Sequence, residues 1–168
     1  MKKIYYFNEM KQDSLFNAIR SEDTTTIKEL LSENPQLINA KDQRGSTPLL
    51  LSSYYGYIDV SELIIDSGAE IDAKDASGNT ALMGVCFKGY VEVARLLINK
   101  GADVNVQNFN GATALIYAAT FNQKELVELL LKQGADPLLK DSRDLTAEDH
   151  ARMQGLSQIE NILKHATP

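Results

Sequence analysis

Asp42-Gln43-Arg44-Gly45-Ser46-Thr47-Pro48-Leu49 is answered 33 residues on by Asp75-Ala76-Ser77-Gly78-Asn79-Thr80-Ala81-Leu82, and again at the same spacing by Asn108-Phe109-Asn110-Gly111-Ala112-Thr113-Ala114-Leu115. Self-similarity at a fixed period of this size is the mark of a stacked repeat. Each copy has one local meaning. An Asp or Asn opens a tight turn, and the glycine accepts the positive φ that closes it. The threonine two positions later offers a side-chain oxygen to cap a helix, and Pro48 suits a first helical position.

Outward from this stretch the columns persist. Gly56, Gly89 and Gly155 share one with Asn122, and Gly68-Ala69, Gly101-Ala102 and Gly134-Ala135 recur near the row ends. In the fourth row Asp144 replaces the turn glycine while Thr146 keeps the cap position. Each row reads as turn, short helix, turn, longer helix, loop. Leu63-Ile64-Ile65, Leu96-Leu97-Ile98 and Leu129-Leu130-Leu131 give the longer helix a thick apolar stripe, and the following glycine ends it. Neither helix buries its apolar face alone, so the units must stack. An earlier row shows in Asp13 to Ala18 and Ile27 to Leu31, and it falls into step with one extra residue near Pro35. The expected fold is therefore all-α, a solenoid of about five helix-turn-helix units joined by β-turn or hairpin loops. Its expected divisions are an N-terminal extension over 1–10, an N-capping repeat over 11–40, internal repeats over 41–73, 74–106 and 107–139, and a C-capping repeat over 140–168.

Composition agrees with one such array. The 168 residues leave room for a single domain, and 43% apolar with 24% charged residues is enough to bury a core. A formal charge of −6 repels phosphate backbones, so nucleic acid is not an expected partner. No apolar run reaches the ~20 residues that cross a bilayer, and the apolar stretch after Lys2-Lys3 is too short for an export signal. The single cysteine forms no internal disulfide. These features together predict a monomer in the cytoplasm.

Three runs carry a family resemblance: Thr47-Pro48-Leu49-Leu50-Leu51-Ser52, Thr80-Ala81-Leu82-Met83-Gly84-Val85 and Thr113-Ala114-Leu115-Ile116-Tyr117-Ala118. They resemble the T-P-L-H-x-A signature of ankyrin-repeat proteins. The stretches Gly56 to Ile64, Gly89 to Leu97 and Gly101-Ala102-Asp103-Val104-Asn105 resemble two further elements of that repeat. The likeness covers about residues 8–165. It departs in the signature histidine, replaced by Leu50, Met83 and Ile116, so the hydrogen bonds expected of that residue between neighbouring turns must come from elsewhere. Open stacks need polar end units. Glu148 and Asp149 make the last unit polar, and Ile4, Tyr5, Tyr6 and Phe7 are expected to fold over the first.

The resemblance implies a non-catalytic protein-binding module that uses a concave groove of turn tips and first helices, on the order of 50 Å long at about 10 Å per layer. The repeat columns place Gln43, Arg44, Ser77, Phe109, Asn110 and Arg143 at the tips. They place Tyr54, Tyr55, Phe87, Lys88, Thr120 and Phe121 at the ends of the first helices. Five of these are aromatic in columns where no core packing is required, and aromatic and Arg side chains are the common anchors of interfaces. A second surface is the acidic run Asp59, Glu62, Asp66, Glu70 and Asp72, which reads either as a steering patch or as a solvated helix face. Lys41, Lys74 and Lys140 each stand next to an acid, so they are not expected to build a basic groove.

Chemical sites are few. Asp144, Glu148, Asp149 and His150 lie close together, yet Thr146 followed by acids is also a helix start. Two histidines and one cysteine do not make a zinc site. Gly84 to Gly89 has the glycine spacing of a phosphate loop, but Tyr90-Val91 stands where Lys and Ser/Thr are needed. Neither cofactor nor metal is expected. The alternatives to a stand-alone binding module are an accessory or regulatory subunit of a partner enzyme and, more remotely, an enzyme.

Overall fold

Thr47, Thr80, Thr113 and Thr146 decide where four of the helices begin. Each sits in extended backbone and its Oγ1 accepts the N–H three residues on, from Leu50, Met83, Ile116 and Asp149 at 3.3, 3.5, 3.2 and 3.3 Å. The computed structural model describes residues 2–166, with side chains from residue 10 onward. Within them lie ten α-helices and no strand. These are α1 (Lys2–Arg20), α2 (Thr24–Glu33), α3 (Pro48–Tyr55), α4 (Ile58–Asp66), α5 (Ala81–Lys88), α6 (Val91–Asn99), α7 (Ala114–Thr120), α8 (Lys124–Lys132), α9 (Ala147–Met153) and α10 (Ser157–Ala166), with a short 3-10 turn over Pro35–Asn39.

Odd-numbered helices pack in sequence as an inner layer, and each is backed by its even-numbered partner in an outer layer. Between the layers runs one continuous core in which Leu15, Ile19, Leu49, Leu82 and Leu115 from the inner helices meet Ile27, Ile64, Leu97, Leu126 and Leu130 from the outer ones. The result is an all-α repeat solenoid. Helix α1 runs unbroken across the boundary expected between residues 10 and 11. The expectation that Ile4, Tyr5, Tyr6 and Phe7 cover the first unit concerns side chains outside the described residues.

Two ladders of hydrogen bonds replace those of the missing histidine. Along the turn edge Gln12 Nε2 donates to the Lys41 carbonyl at 2.8 Å, Lys41 Nζ to Lys74 at 2.8 Å, Lys74 Nζ to Gln107 at 2.8 Å, and Gln107 Nε2 to Lys140 at 3.0 Å. One column of side chains thus ties each turn to the next. Only Lys140, which has no following turn to reach, bonds an acid, Asp144, at 3.0 Å. Behind the outer helices Asn39 Oδ1 accepts from Glu70 N at 2.9 Å, Asp72 Oδ2 from Asp103 N at 3.1 Å and Asn105 Oδ1 from Asp136 N at 2.8 Å.

In the last repeat the acids near His150 are structural. Thr146 and Asp149 form a reciprocal capping box, and Arg152 reaches Glu148, Asp149 and Glu160. The N–H and hydroxyl of Thr146, together with Arg152, hold the Asp149 carboxyl below the usual carboxylate range. A depressed folded-state pKa stabilises the fold above the unfolded value, about 3.9 for Asp, and the contribution is lost as pH falls through the folded value. Asp149→Asn is therefore expected to lower the urea midpoint at pH 7 and to converge with the wild type as pH drops below about 4. Parallel curves for the two proteins from pH 7 to pH 3 would remove this carboxylate from the account of acid unfolding.

Candidate functional site

On the concave side α1, α3 and α5 with their turn tips enclose a groove of about 850 Å³. Its walls and floor include Asp13, Phe16 and Arg20 of α1, Leu50, Leu51, Tyr54 and Tyr55 of α3, and Met83, Gly84 and Phe87 of α5, with Tyr117 of α7 at the far end. Gln43 and Arg44 supply the rim at the first tip. Five of the residues read from the repeat columns, Gln43, Arg44, Tyr54, Tyr55 and Phe87, thus come together in one cavity.

Ser77, Lys88, Phe109, Asn110, Thr120, Phe121 and Arg143 lie outside that cavity. Several of them continue the same face. Phe121 meets Phe87 edge-on with centroids 4.6 Å apart, and Lys88 Nζ stands 5.1 Å from the Tyr54 ring. Phe109 is the most exposed ring of the set at 71%, with Lys74 Nζ 6.0 Å from its centroid. Ser77, Asn110 and Arg143 are exposed at the tips, which are joined by Phe109 N to Ser77 O at 3.2 Å and Ser142 N to Asn110 O at 2.8 Å. Thr120 is half-buried and its hydroxyl donates to the Ile116 carbonyl at 2.7 Å, which leaves it a weak contact residue.

All five aromatics named from the columns are substantially exposed, from Phe87 at 39% to Phe109 at 71%. They are not idle: Tyr55 stacks on Tyr57 at 5.5 Å and Tyr117 on Phe121 at 6.3 Å. These contacts hold the rings in place while leaving area open, the state in which an aromatic binds at low entropic cost.

The groove is shorter than five repeats because one inner-helix column changes size along the chain. That column is Leu51, Gly84, Tyr117 and His150. Tyr117 and His150 fill the C-terminal half. The Tyr117 hydroxyl accepts from Asn108 Nδ2 at 3.3 Å and donates to Asn79 Oδ1 at 3.1 Å, while Asn108 Nδ2 also donates to Asn79 Oδ1 at 2.8 Å. Burial, and then the charge of Asp75, push the Tyr117 phenol above its ordinary pKa. His150, buried, places Nε2 2.8 Å from Asp141 Oδ2. The sequence reading placed Tyr54 and Phe87 but missed the residues one turn earlier, Leu50, Leu51, Met83 and Gly84, and the α1 wall. The column sizes were legible, but the wall depends on a first repeat that is out of step by one residue.

The acidic run does not form a bare patch. Lys100 Nζ reaches Asp66 at 2.6 Å and Glu62 at 3.4 Å, and Asp72 accepts from Asp103 N. Cys86 is fully buried, and that burial pushes its thiol far above the ordinary range, so it is poorly nucleophilic. Among the described residues no three His, Cys, Asp or Glu side chains converge as metal ligands, and no helix is long and apolar enough to cross a membrane.

No curated protein matches the chain. A family model described as ankyrin repeats (3 copies) matches residues 3–75 and 62–141, most of the length. With the capped turns, paired helices and two-layer stack, that match places this chain in the ankyrin-repeat family.

Proposed function

We propose that the chain is a non-catalytic binding module that holds one protein partner against its concave face, acting as a monomer in the cytoplasm. Ankyrin repeats are generally protein–protein interaction modules. The observation that carries the reading here is the row of exposed, braced rings along one face, Tyr54, Tyr55 and Phe87 in the groove and Phe121 packed edge-on against Phe87 beside it. A surface of this kind meets the need of a standard interface, about 800 Å² per partner with a few aromatic anchors near its centre. The turn-tip residues Gln43, Arg44, Ser77, Phe109, Asn110 and Arg143 form the polar rim, and Lys88 extends it at the helix ends. The buried and unreactive Cys86 and the structural use of His150 and Asp149 support a role without catalysis.

The test is affinity capture from native lysate with the wild type beside a variant carrying Tyr55→Ala, Phe87→Ala and Phe121→Ala. All three rings are exposed, so the helical circular dichroism is expected to survive. Partner capture is expected to fall by at least about 30-fold, since truncating even one hot-spot ring costs about 2 kcal/mol or more. Undiminished capture by a folded triple variant would move the binding face elsewhere.

A further inference from the structure

Gly84 stands in the middle of α5, where glycine is less stable than alanine. Neither conformation nor packing requires it. It is not among the glycines with positive φ, and a Cβ built there would meet only Tyr54 Cδ2, at an ordinary 3.8 Å. What the missing side chain provides is space on the groove floor, beside Asp75.

The other repeats show what that space accommodates. In the fourth, His150 from the Gly84 column sets Nε2 2.8 Å from Asp141 Oδ2. In the third, the Tyr117 hydroxyl meets Asn108 Nδ2 at 3.3 Å. In these two repeats the turn carboxylate or its amide equivalent is met by a polar group from that column, whereas in the repeat of Asp42 the column holds an apolar side chain, Leu51. In the second repeat Asp75 keeps the carboxylate, but Gly84 brings no group to it. Asp75 Oδ1 accepts the N–H groups of Ser77 and Asn79, both at 2.8 Å, which fixes the carboxylate in place. Its Oδ2 holds one bond, from Asn79 Nδ2 at 3.2 Å, and has acceptor capacity left.

The surroundings suit a cation. Asp13, Asp42 and Asp75 line the groove against Arg20 and Arg44, and Arg20 Nη1 already donates to Asn17 Oδ1 at 3.1 Å while Arg44 is exposed at the tip. The lining includes two aromatic rings, Tyr54 of α3 and Phe87 of α5. The chain's own Lys88 stands over the Tyr54 ring, so that ring is already used as a cation partner. A chain charge of −6 favours encounter with a basic segment.

We infer that the space over Gly84 takes one arginine side chain from an extended, basic segment of the partner protein, its guanidinium on Asp75 and its stem between Tyr54 and Phe87. A planar fork with several donors satisfies a fixed carboxylate and stacks on rings, which a lysine does less well. This rests on the concave face being the binding face.

The test separates the two ideas. A random dodecapeptide library displayed on phage is selected on the full chain. Recovered peptides are then titrated against the wild type, Gly84→Leu, Gly84→Ala, Asp75→Asn and the double variant Tyr54→Ala with Phe87→Ala. Asn108 accepts the Asn110 and Ala112 N–H groups at 2.9 Å in the third repeat, so asparagine serves this turn and Asp75→Asn keeps the fold. The recovered peptides are expected to share an arginine. Its replacement by alanine, Gly84→Leu and Asp75→Asn are each expected to weaken binding at least about tenfold. Gly84→Ala is expected to bind more weakly while melting about 2–4 °C higher, a split that a purely structural glycine would not give. Peptides that lose binding in the Tyr54/Phe87 double variant yet carry no arginine, or ignore Gly84→Leu and Asp75→Asn, overturn the arginine assignment and leave the groove reading standing. Peptides indifferent to the aromatic pair as well overturn both.

Discussion

Gly78→Ala is expected to lower stability by about 3 kcal/mol, while Gly134→Ala costs about 1 kcal/mol. Both glycines have left-handed backbone, φ +82° and +86°, so both substitutions incur the same conformational penalty. They differ in what a Cβ would meet. At Gly134 nothing lies within 4 Å, whereas at Gly78 the new atom would fall 2.7 Å from Phe109 N and 2.8 Å from Phe109 Cδ1. Backbone cannot yield as a long side chain does. The third turn must move away from the second, which breaks the Phe109 N to Ser77 O hydrogen bond at 3.2 Å and loosens the Lys74 bridge to Gln107. The difference between the variants, read as urea midpoints, therefore measures the approach of two neighbouring turns. Equal losses would reduce this column to a matter of φ alone.

The same geometry explains which parts of the fold were legible in the sequence. Turn, cap and stripe recur at each position because each repeat packs on another of the same shape, and a fixed period of 33 residues registers that directly. The break in the glycine column at Asp144 has the complementary cause. Gly45, Gly78 and Gly111 each lie against the backbone of the next turn, with a Cβ 3.0, 2.7 and 3.1 Å from it. Asp144 has no following turn, so it keeps the positive φ, +63°, with a side chain that binds Lys140. The departure that marks an end cap in the sequence is thus a steric statement.

The site was legible only in part, because columns report position but not depth. Tyr54, Tyr55 and Phe87, named from their columns, line the groove and stay exposed even though each touches a neighbouring ring. Where the groove stops was not readable from column membership alone. It ends at Tyr117 because that ring has an acceptor and a donor waiting in Asn79 and Asn108, two residues nearly 40 and 10 positions away in the chain. The bridging role of the turn lysines was not readable for a similar reason: Lys41 reaches a carbonyl 33 residues on, and a one-dimensional reading sees the adjacent acid first.

Leu115→Ala is expected to cost about 3 kcal/mol, against less than about 0.5 kcal/mol for Leu138→Ala. Leu115 is 1% exposed in the continuous core, and Leu138 is 54% exposed in a loop. Truncation removes three carbons that the flanking inner helices α5 and α9 cannot move in to replace, since the ladders on both edges fix their spacing. In a stack each repeat is stabilised mainly by its two neighbours, so a cavity in the unit of α7 and α8 weakens the coupling on both sides of it. Beyond a lower midpoint, the urea transition is expected to broaden, with amides of α9 and α10 exchanging before those of α3 and α4. The functional consequence follows from position: Leu115 lies two residues before Tyr117, the end wall of the groove, so peptide binding should weaken while α1 to α6, which carry the rest of its lining, are still folded. A single sharp transition with all helices exchanging together would show instead that the array unfolds as one unit, and that the groove is as stable as the whole molecule.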